Sequence, residues 1–123
     1  MLEIYSTDLT VAANTAVSFQ NVSLQKGCTA ELSGANTIKL NKCGVYMVAV
    51  DSSAETATTI QLYKDGVAQP QAQATGGTPS FVTLVQVNEN NSCCPCASGT
   101  SLQVMNETAT TFSNINVSVT KVV

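Results

Sequence analysis

The chain has 123 residues, of which 44% are hydrophobic and only 11% are charged, and its formal net charge is −3. This length is typical of one domain with one core, so we expect residues 1–123 to fold as a single domain. The five basic residues form no cluster, which argues against nucleic acid as a partner. No apolar stretch approaches the ~20 residues that a bilayer span needs, so we expect no membrane insertion.

The commonest catalytic side chain is missing from the sequence. The chain contains no histidine, and this removes Ser-His-Asp and Cys-His triads as well as imidazole metal sites. We therefore predict that the protein is not an enzyme.

The amino-terminal segment indicates a strand rather than a signal peptide. Glu3 stands where a secretory signal would carry basic residues. We therefore expect no signal peptide and synthesis in a cytoplasm.

Short segments with period-two alternation and β-branched residues follow one another along the whole chain, and no window of twelve residues or more has helical spacing. The fold class predicted is all-β, with about ten antiparallel strands in a jelly-roll sandwich. The predicted strands are 2–5, 9–12, 16–19, 29–32, 37–40, 44–52, 58–64, 80–88, 101–106 and 112–122.

Three details of this pattern predict how strands are placed. Both faces of 44–50 are apolar, which is typical of a strand covered on both sides, whereas 114–121 alternates and predicts a half-buried strand. Asp65 and Gly66 predict a tight turn. Segment 69–74 is either an edge strand, which Pro70 would protect from further pairing, or a subunit contact, and we favour the edge strand.

One stretch resembles a known family. Gly44-Val45-Tyr46-Met47-Val48, followed by Ile60-Gln61-Leu62-Tyr63-Lys64-Asp65-Gly66, is similar to the central hairpin of the tumour-necrosis-factor and complement-type jelly rolls of bacterial and phage proteins. In that pattern a strand beginning Gly-x-Tyr-x-Val precedes a strand that ends in an Asp-Gly turn. The resemblance covers essentially the whole chain; a preceding strand with the apolar stripe Ile38 and Leu40 and a closing strand at 112–122 also stand where that family has them.

The resemblance implies a homotrimer around an apolar three-fold axis, with a binding or structural role and no catalysis. Tyr46 should then pack between the sheets. The side chains that could form the trimer face are aromatic or large and apolar, although some of them must fill the core instead; they are Tyr5, Tyr46, Phe81, Leu84 and Phe112.

Low charge and a surface rich in Thr, Asn and Ala are similar to phage capsid decoration proteins, head fibres and fibre tips. We therefore predict a non-enzymatic structural or attachment protein of a phage virion, made in the host cytoplasm and bound to a capsid or fibre protein. The alternative is a carbohydrate- or receptor-binding module of a bacterial surface fibre, whose partner would be a cell-surface glycan or receptor.

The five cysteines could bind a metal ion, form disulfides or remain as free thiols. Cys28, Cys43, Cys93 and Cys96 could supply the four thiolates of a structural zinc site, but the first two are not spaced as a knuckle, and we predict no metal and no other cofactor. A hairpin turn at 33–36 would bring Cys28 near Cys43, which makes a disulfide between them a competing hypothesis. A reducing cytoplasm would instead leave all thiols free.

Overall fold

The computed structural model describes residues 1–27, 29–87 and 100–123, and within these residues it consists of eleven β-strands without a helix. In the same residues there is accordingly no helix that could cross a membrane. The strands are β1 (Leu2–Val11), β2 (Thr15–Ala16), β3 (Asn21–Gln25), β4 (Ala30–Ser33), β5 (Thr37–Leu40), β6 (Gly44–Ala54), β7 (Thr58–Lys64), β8 (Val67–Gly76), β9 (Phe81–Val87), β10 (Thr100–Asn106) and β11 (Thr110–Lys121).

The strands form two antiparallel sheets. Sheet A has the order β3, β1, β11, β6, β9, and sheet B has the order β4, β5, β10, β7, β8, with the short β2 paired to β10. The first and last long strands lie side by side in sheet A, where Leu2 is opposite Val119 and Val11 is opposite Thr110. This is the arrangement of a jelly roll, and the predicted fold class is confirmed.

The core lies between the two sheets and is built by period-two alternation. In β11 the side chains of Ile115, Val117 and Val119 are fully buried, while the polar residues between them point outward. This is the half-buried strand that the sequence predicts. The other sheet contributes the fully buried Ile60, Leu62, Leu102 and Val104 to the same core.

Strand β6 differs from the prediction that both its faces are covered. Tyr46, Val48 and Val50 point inward and are buried, but Met47 on the other face is 40% exposed. An apolar residue on the outer face of a sheet cannot be distinguished from a buried one by sequence alone, since both give a continuous apolar run.

The two strands that carry the family resemblance are not paired as a hairpin. β6 belongs to sheet A and β7 to sheet B, so the hairpin predicted from the resemblance is wrong. The connection at residues 55–57 takes the chain from one sheet to the other, and the inner faces of the two strands meet across the core. Tyr46 nevertheless packs between the sheets as predicted, with no exposed surface.

Turn and edge predictions agree with the structure. Asp65 and Gly66 have φ of 51° and 81°, the left-handed backbone of a two-residue hairpin turn between β7 and β8. β8 contains Pro70 and is the outer strand of sheet B, so the edge-strand prediction is confirmed.

The largest omission from the predicted strands is β3. Its sequence, Asn21-Val22-Ser23-Leu24-Gln25, alternates polar and apolar residues, but all five residues are exposed, so the alternation corresponds to no buried face. It is held as a strand by backbone pairing to β1, where Leu2 is opposite Gln25 and Tyr5 is opposite Asn21.

Candidate assembly surface

Exposed apolar side chains are distributed very unevenly over the two sheets. In the described part of the chain, Val67 is the only large exposed apolar residue from sheet B. The others lie in sheet A or in the residues that flank its strands β1 and β11; they are Met1, Val22, Leu24, Met47, Val82, Leu84, Val122 and Val123. Contiguous exposed apolar surface is typical of a contact with another molecule.

The strongest concentration lies where β6 pairs with β9, the edge strand of sheet A. Met47 is directly opposite Leu84, and Ala49 is opposite Val82. Val82 is 66% exposed and Leu84 is 61% exposed. Because paired residues on neighbouring strands share a face, these side chains form one patch. We call Met47, Val82 and Leu84 the β9 patch.

A second exposed apolar pair lies at the opposite edge of the same sheet. Val22 is 47% exposed and Leu24 is 39% exposed, and both belong to β3. Leu24 is opposite Glu3 and shares the outer face, whereas Val22 is opposite the buried Ile4, with a register shift between the two pairs. We call this exposed apolar edge, formed by Val22 and Leu24, the β3 patch. Sheet A therefore has exposed apolar side chains at both of its edges, separated by β1 and β11.

Between the two patches the outer face of sheet A is polar, and a carboxylate on it is held by serine hydroxyls. Ser23 Oγ donates to Glu3 Oε1 at 2.8 Å, and Ser118 Oγ donates to Glu3 Oε2 at 3.2 Å. These bonds fix the carboxylate in place and supply donors to both of its oxygens, so it does not need a partner from outside the chain.

A second carboxylate is held in the same way near the β9 patch. Ser80 Oγ donates to Asp51 Oδ1 at 2.7 Å. Next to it in the register, Asn116 is opposite Asp51 on one side and opposite Tyr5 on the other. The middle of the face thus combines one half-buried aromatic ring with oriented hydrogen-bonding groups.

Two of the predicted trimer-face residues belong to the core instead. Tyr46 and Phe112 have no exposed surface, because each lies at an inward position of its strand and fills the space between the sheets. Tyr46 Oη also donates to the carbonyl oxygen of Lys42 at 2.8 Å. These two residues are not available to a partner.

The other three predicted residues divide between the faces. Phe81 is opposite Val50 and packs against the core, so it too is turned inward. Leu84 and Tyr5 lie on the outer face of sheet A. Met47 and Val82 were not among the predicted residues. The signal that could have indicated them is that β6 and β9 carry apolar residues at both odd and even positions, so some of these residues must lie on the outer face.

The cysteine hypotheses can be followed at one position. Cys43 is buried and takes part in a disulfide bond, so its sulfur is not a thiolate that could bind a metal ion. Cys28, Cys93, Cys94 and Cys96 lie outside the described residues, and the pairing of Cys28 with Cys43 stays a prediction. Among the residues that are described, no three His, Cys, Asp or Glu side chains come together as a metal site would require.

Comparison with known proteins identifies the fold and leaves the family open. No family model matches the chain, and no curated protein matches it in sequence. The globular domain of zebrafish complement 1qA protein has a similar structure, with a TM-score of 0.73 and 10% identity, over 99% of this chain and 96% of that one. Murine APRIL gives a TM-score of 0.69 and 11% identity, with 98% of each chain covered.

Rabbit GITRL is also similar, with a TM-score of 0.64 and 10% identity, over 100% of this chain and 95% of that one. The chain therefore has the jelly-roll fold of the tumour-necrosis-factor and complement 1q globular domains. At these identities the likeness concerns the fold alone.

Proposed function

We propose that this chain is a non-enzymatic structural or attachment domain that assembles as a homotrimer through the outer face of sheet A. The observation that carries the proposal is the one-sided distribution of exposed apolar side chains, nearly all of which lie in or beside that sheet. Burying a side chain such as Leu84 is worth ~1.5–3 kcal/mol, so a few such contacts per subunit favour association.

The positions of the two patches favour a ring over a two-fold dimer. The β9 patch and the β3 patch differ in composition and lie at opposite edges of one sheet. A contact in which the β9 patch of one copy meets the β3 patch of the next uses two different surfaces, and such contacts form closed rings when the rotation closes. The family resemblance supports three copies.

The absence of a catalytic role is supported by the side chains available. The chain has no histidine, and the carboxylates of Glu3 and Asp51 accept hydrogen bonds from serines of the same chain. A general acid or base needs a titrating group near neutral pH with access to a substrate.

For the biological role of the assembled domain, we propose a phage virion component, namely a capsid decoration protein, a head fibre or a fibre tip. The protein would be located in the virion and bound to a capsid or fibre protein. Its support is the charged fraction of 11% together with a self-associating jelly roll. The second candidate is the carbohydrate-binding module of a bacterial surface fibre, which is favoured by the polar groove on sheet B that is described below.

The experiment that tests the assembly is light scattering coupled to size exclusion, with Leu84→Lys as the variant and Gln71→Lys as the matched control. Gln71 is exposed on β8 of sheet B, so both variants add one lysine to an exposed strand position. We expect the native chain and the control to have three times the 12.8 kDa of one chain. Leu84→Lys should weaken each contact by ~30-fold or more, since it places a charge in an apolar interface.

The same measurement with reductant separates the sheet contact from the cysteines. A trimer that persists in reductant supports assembly through the outer face of sheet A. A native chain that runs as a monomer at micromolar concentration, or an assembly that Leu84→Lys leaves intact, would show that this proposal is wrong.

A further inference from the structure

The outer face of sheet B carries a polar groove with a volume of about 240 Å³. It lies over β7 and β10 and is bounded by the loops that follow β1 and β10. Pockets for drug-sized ligands usually measure ~300–1,000 Å³, so this groove suits a small group such as one sugar ring. The side chains that line it are Asn14, Thr59, Gln61, Tyr63, Met105 and Glu107.

These side chains combine one aromatic ring with several hydrogen-bonding groups. Tyr63 supplies a half-buried ring. Asn14 and Gln61 carry amides, which both donate and accept, and Glu107 carries a carboxylate, which accepts. Within the described part of the chain, the side chains of Asn14, Tyr63 and Glu107 form no hydrogen bond with another residue, so their polar atoms are available to a ligand.

The two loops at the rim are tied together by Asn106 at the end of β10, whose side chain is fully buried and, being opposite Ile60, lies on the core side of sheet B. Its Nδ2 donates to the carbonyl oxygens of Thr108 at 2.8 Å and Ala12 at 3.3 Å, and its Oδ1 accepts from Thr58 Oγ1 at 2.6 Å. One side chain therefore ties the loop after β1 to the loop after β10.

Further bonds fix the individual lining residues. The backbone N–H of Glu107 donates to the carbonyl oxygen of Thr59 at 2.9 Å. Gln61 Nε2 donates to the carbonyl oxygen of Gln69 at 3.1 Å, which orients its amide. Asn14 has φ of 57°, a left-handed conformation that asparagine tolerates better than most residues. The Gln61 amide and the backbone of Glu107 are therefore ordered before a ligand binds, which lowers the entropy lost on binding.

Charge narrows the class of ligand. The described residues that line the groove include one acidic residue, Glu107, and no lysine or arginine, so phosphate, sulfate and other anions are disfavoured. A neutral sugar has an apolar face of C–H groups, which packs on an aromatic ring, and hydroxyls at its edge, which donate and accept together.

We propose that the groove formed by Asn14, Gln61, Tyr63, Met105 and Glu107 on sheet B binds a neutral saccharide. Tyr63 packs against the face of one sugar ring, with Met105 beside it, while Asn14, Gln61 and Glu107 bond its hydroxyls. The groove belongs to the sheet opposite the assembly surface, so binding and assembly are independent.

The test is a ¹H–¹⁵N NMR titration of the whole chain with neutral methyl glycosides of glucose, galactose, mannose and N-acetylglucosamine at millimolar concentration, together with an array of neutral oligosaccharides. We expect shifts of the amides of Gln61, Tyr63 and Glu107. Tyr63→Ala should weaken binding about tenfold because it removes the ring, whereas Tyr63→Phe should keep most of the affinity.

The matched control is Tyr5→Ala, which removes the same side chain from the outer face of sheet A. It should leave saccharide affinity unchanged whatever it does to the assembly, so the failure of one proposal can be told from the failure of the other. The saccharide proposal is overturned if no glycoside or array component binds, if the shifts lie elsewhere, or if Tyr63→Ala binds like the native chain.

Discussion

The two outer faces of this sandwich differ although the inner faces are built alike. Sheet A presents exposed Met47, Val82 and Leu84 to its surroundings, while the outward positions of β7 in sheet B carry Thr59, Gln61 and Tyr63. The inner faces are constrained by one shared core, so both must be apolar. The outer faces have no common constraint, and their difference indicates that they have different uses.

The comparison also explains why the two faces hold their polar groups differently. On sheet A the carboxylate of Glu3 bonds hydroxyls at the surface, which leaves it within reach of a partner chain. On sheet B, Asn106 at the end of β10 is fully buried on the core side and ties two loops together. Loops braced from beneath suit the rim of a groove for a small ligand, whereas a broad face with apolar edges suits another subunit.

The largest expected effect tests which residues of sheet A belong to the core and which to its outer face. Phe112→Ala should lower the free energy of unfolding by ~3–5 kcal/mol, because it leaves a cavity between the sheets. Leu84→Ala, studied by urea denaturation at a concentration where the chain is monomeric, should change it by less than ~0.5 kcal/mol. Equal losses for the two variants would mean that Leu84 is packed within the monomer.

A smaller effect tests the buried brace of sheet B. Asn106→Ala should lower the free energy of unfolding by ~2–3 kcal/mol, since it removes the hydrogen bonds that this fully buried side chain forms with Thr58 Oγ1 and with the carbonyl oxygens of Thr108 and Ala12. Gln103→Ala is the control on the same strand. Its side chain has one bond, from Nε2 to Thr37 Oγ1 at 3.2 Å, and we expect a loss of ~1 kcal/mol or less in urea denaturation. If Asn106→Ala is as mild as the control, the loops are held by their backbone bonds alone.

The smallest expected effect is the coupling energy between two threonine hydroxyls, which can be compared for one pair on each sheet. Thr10 and Thr111 on sheet A are joined at 3.0 Å between their Oγ1 atoms, and Thr59 and Thr75 on sheet B are joined at 2.7 Å. Double-mutant cycles with valine should give ~0.2–1 kcal/mol for each pair in the monomer. If the coupling energy between Thr10 and Thr111 increases when the chain associates, these residues lie inside the subunit contact. If it stays constant, they lie outside it.

The alternation of residues determined most of the fold without reference to tertiary structure. β11 was predictable because Ile115, Val117 and Val119 alternate with polar residues, and the turn at Asp65 was predictable because its left-handed backbone favours an Asp-Gly pair. The jelly-roll class followed from the number of such segments. These features are local, since each depends on neighbours within a few positions along the chain.

Only the tertiary structure decided which sheet each strand joins and which face of each strand is buried. Tyr46 and Met47 are adjacent and both apolar, yet one is fully buried and the other is 40% exposed, because only one face of sheet A meets sheet B. β6 and β7 follow one another but belong to different sheets, and Asn14 meets Tyr63 at one groove although 49 positions separate them. Such outcomes depend on which strands pair across the fold, and the period of a single strand does not contain that information.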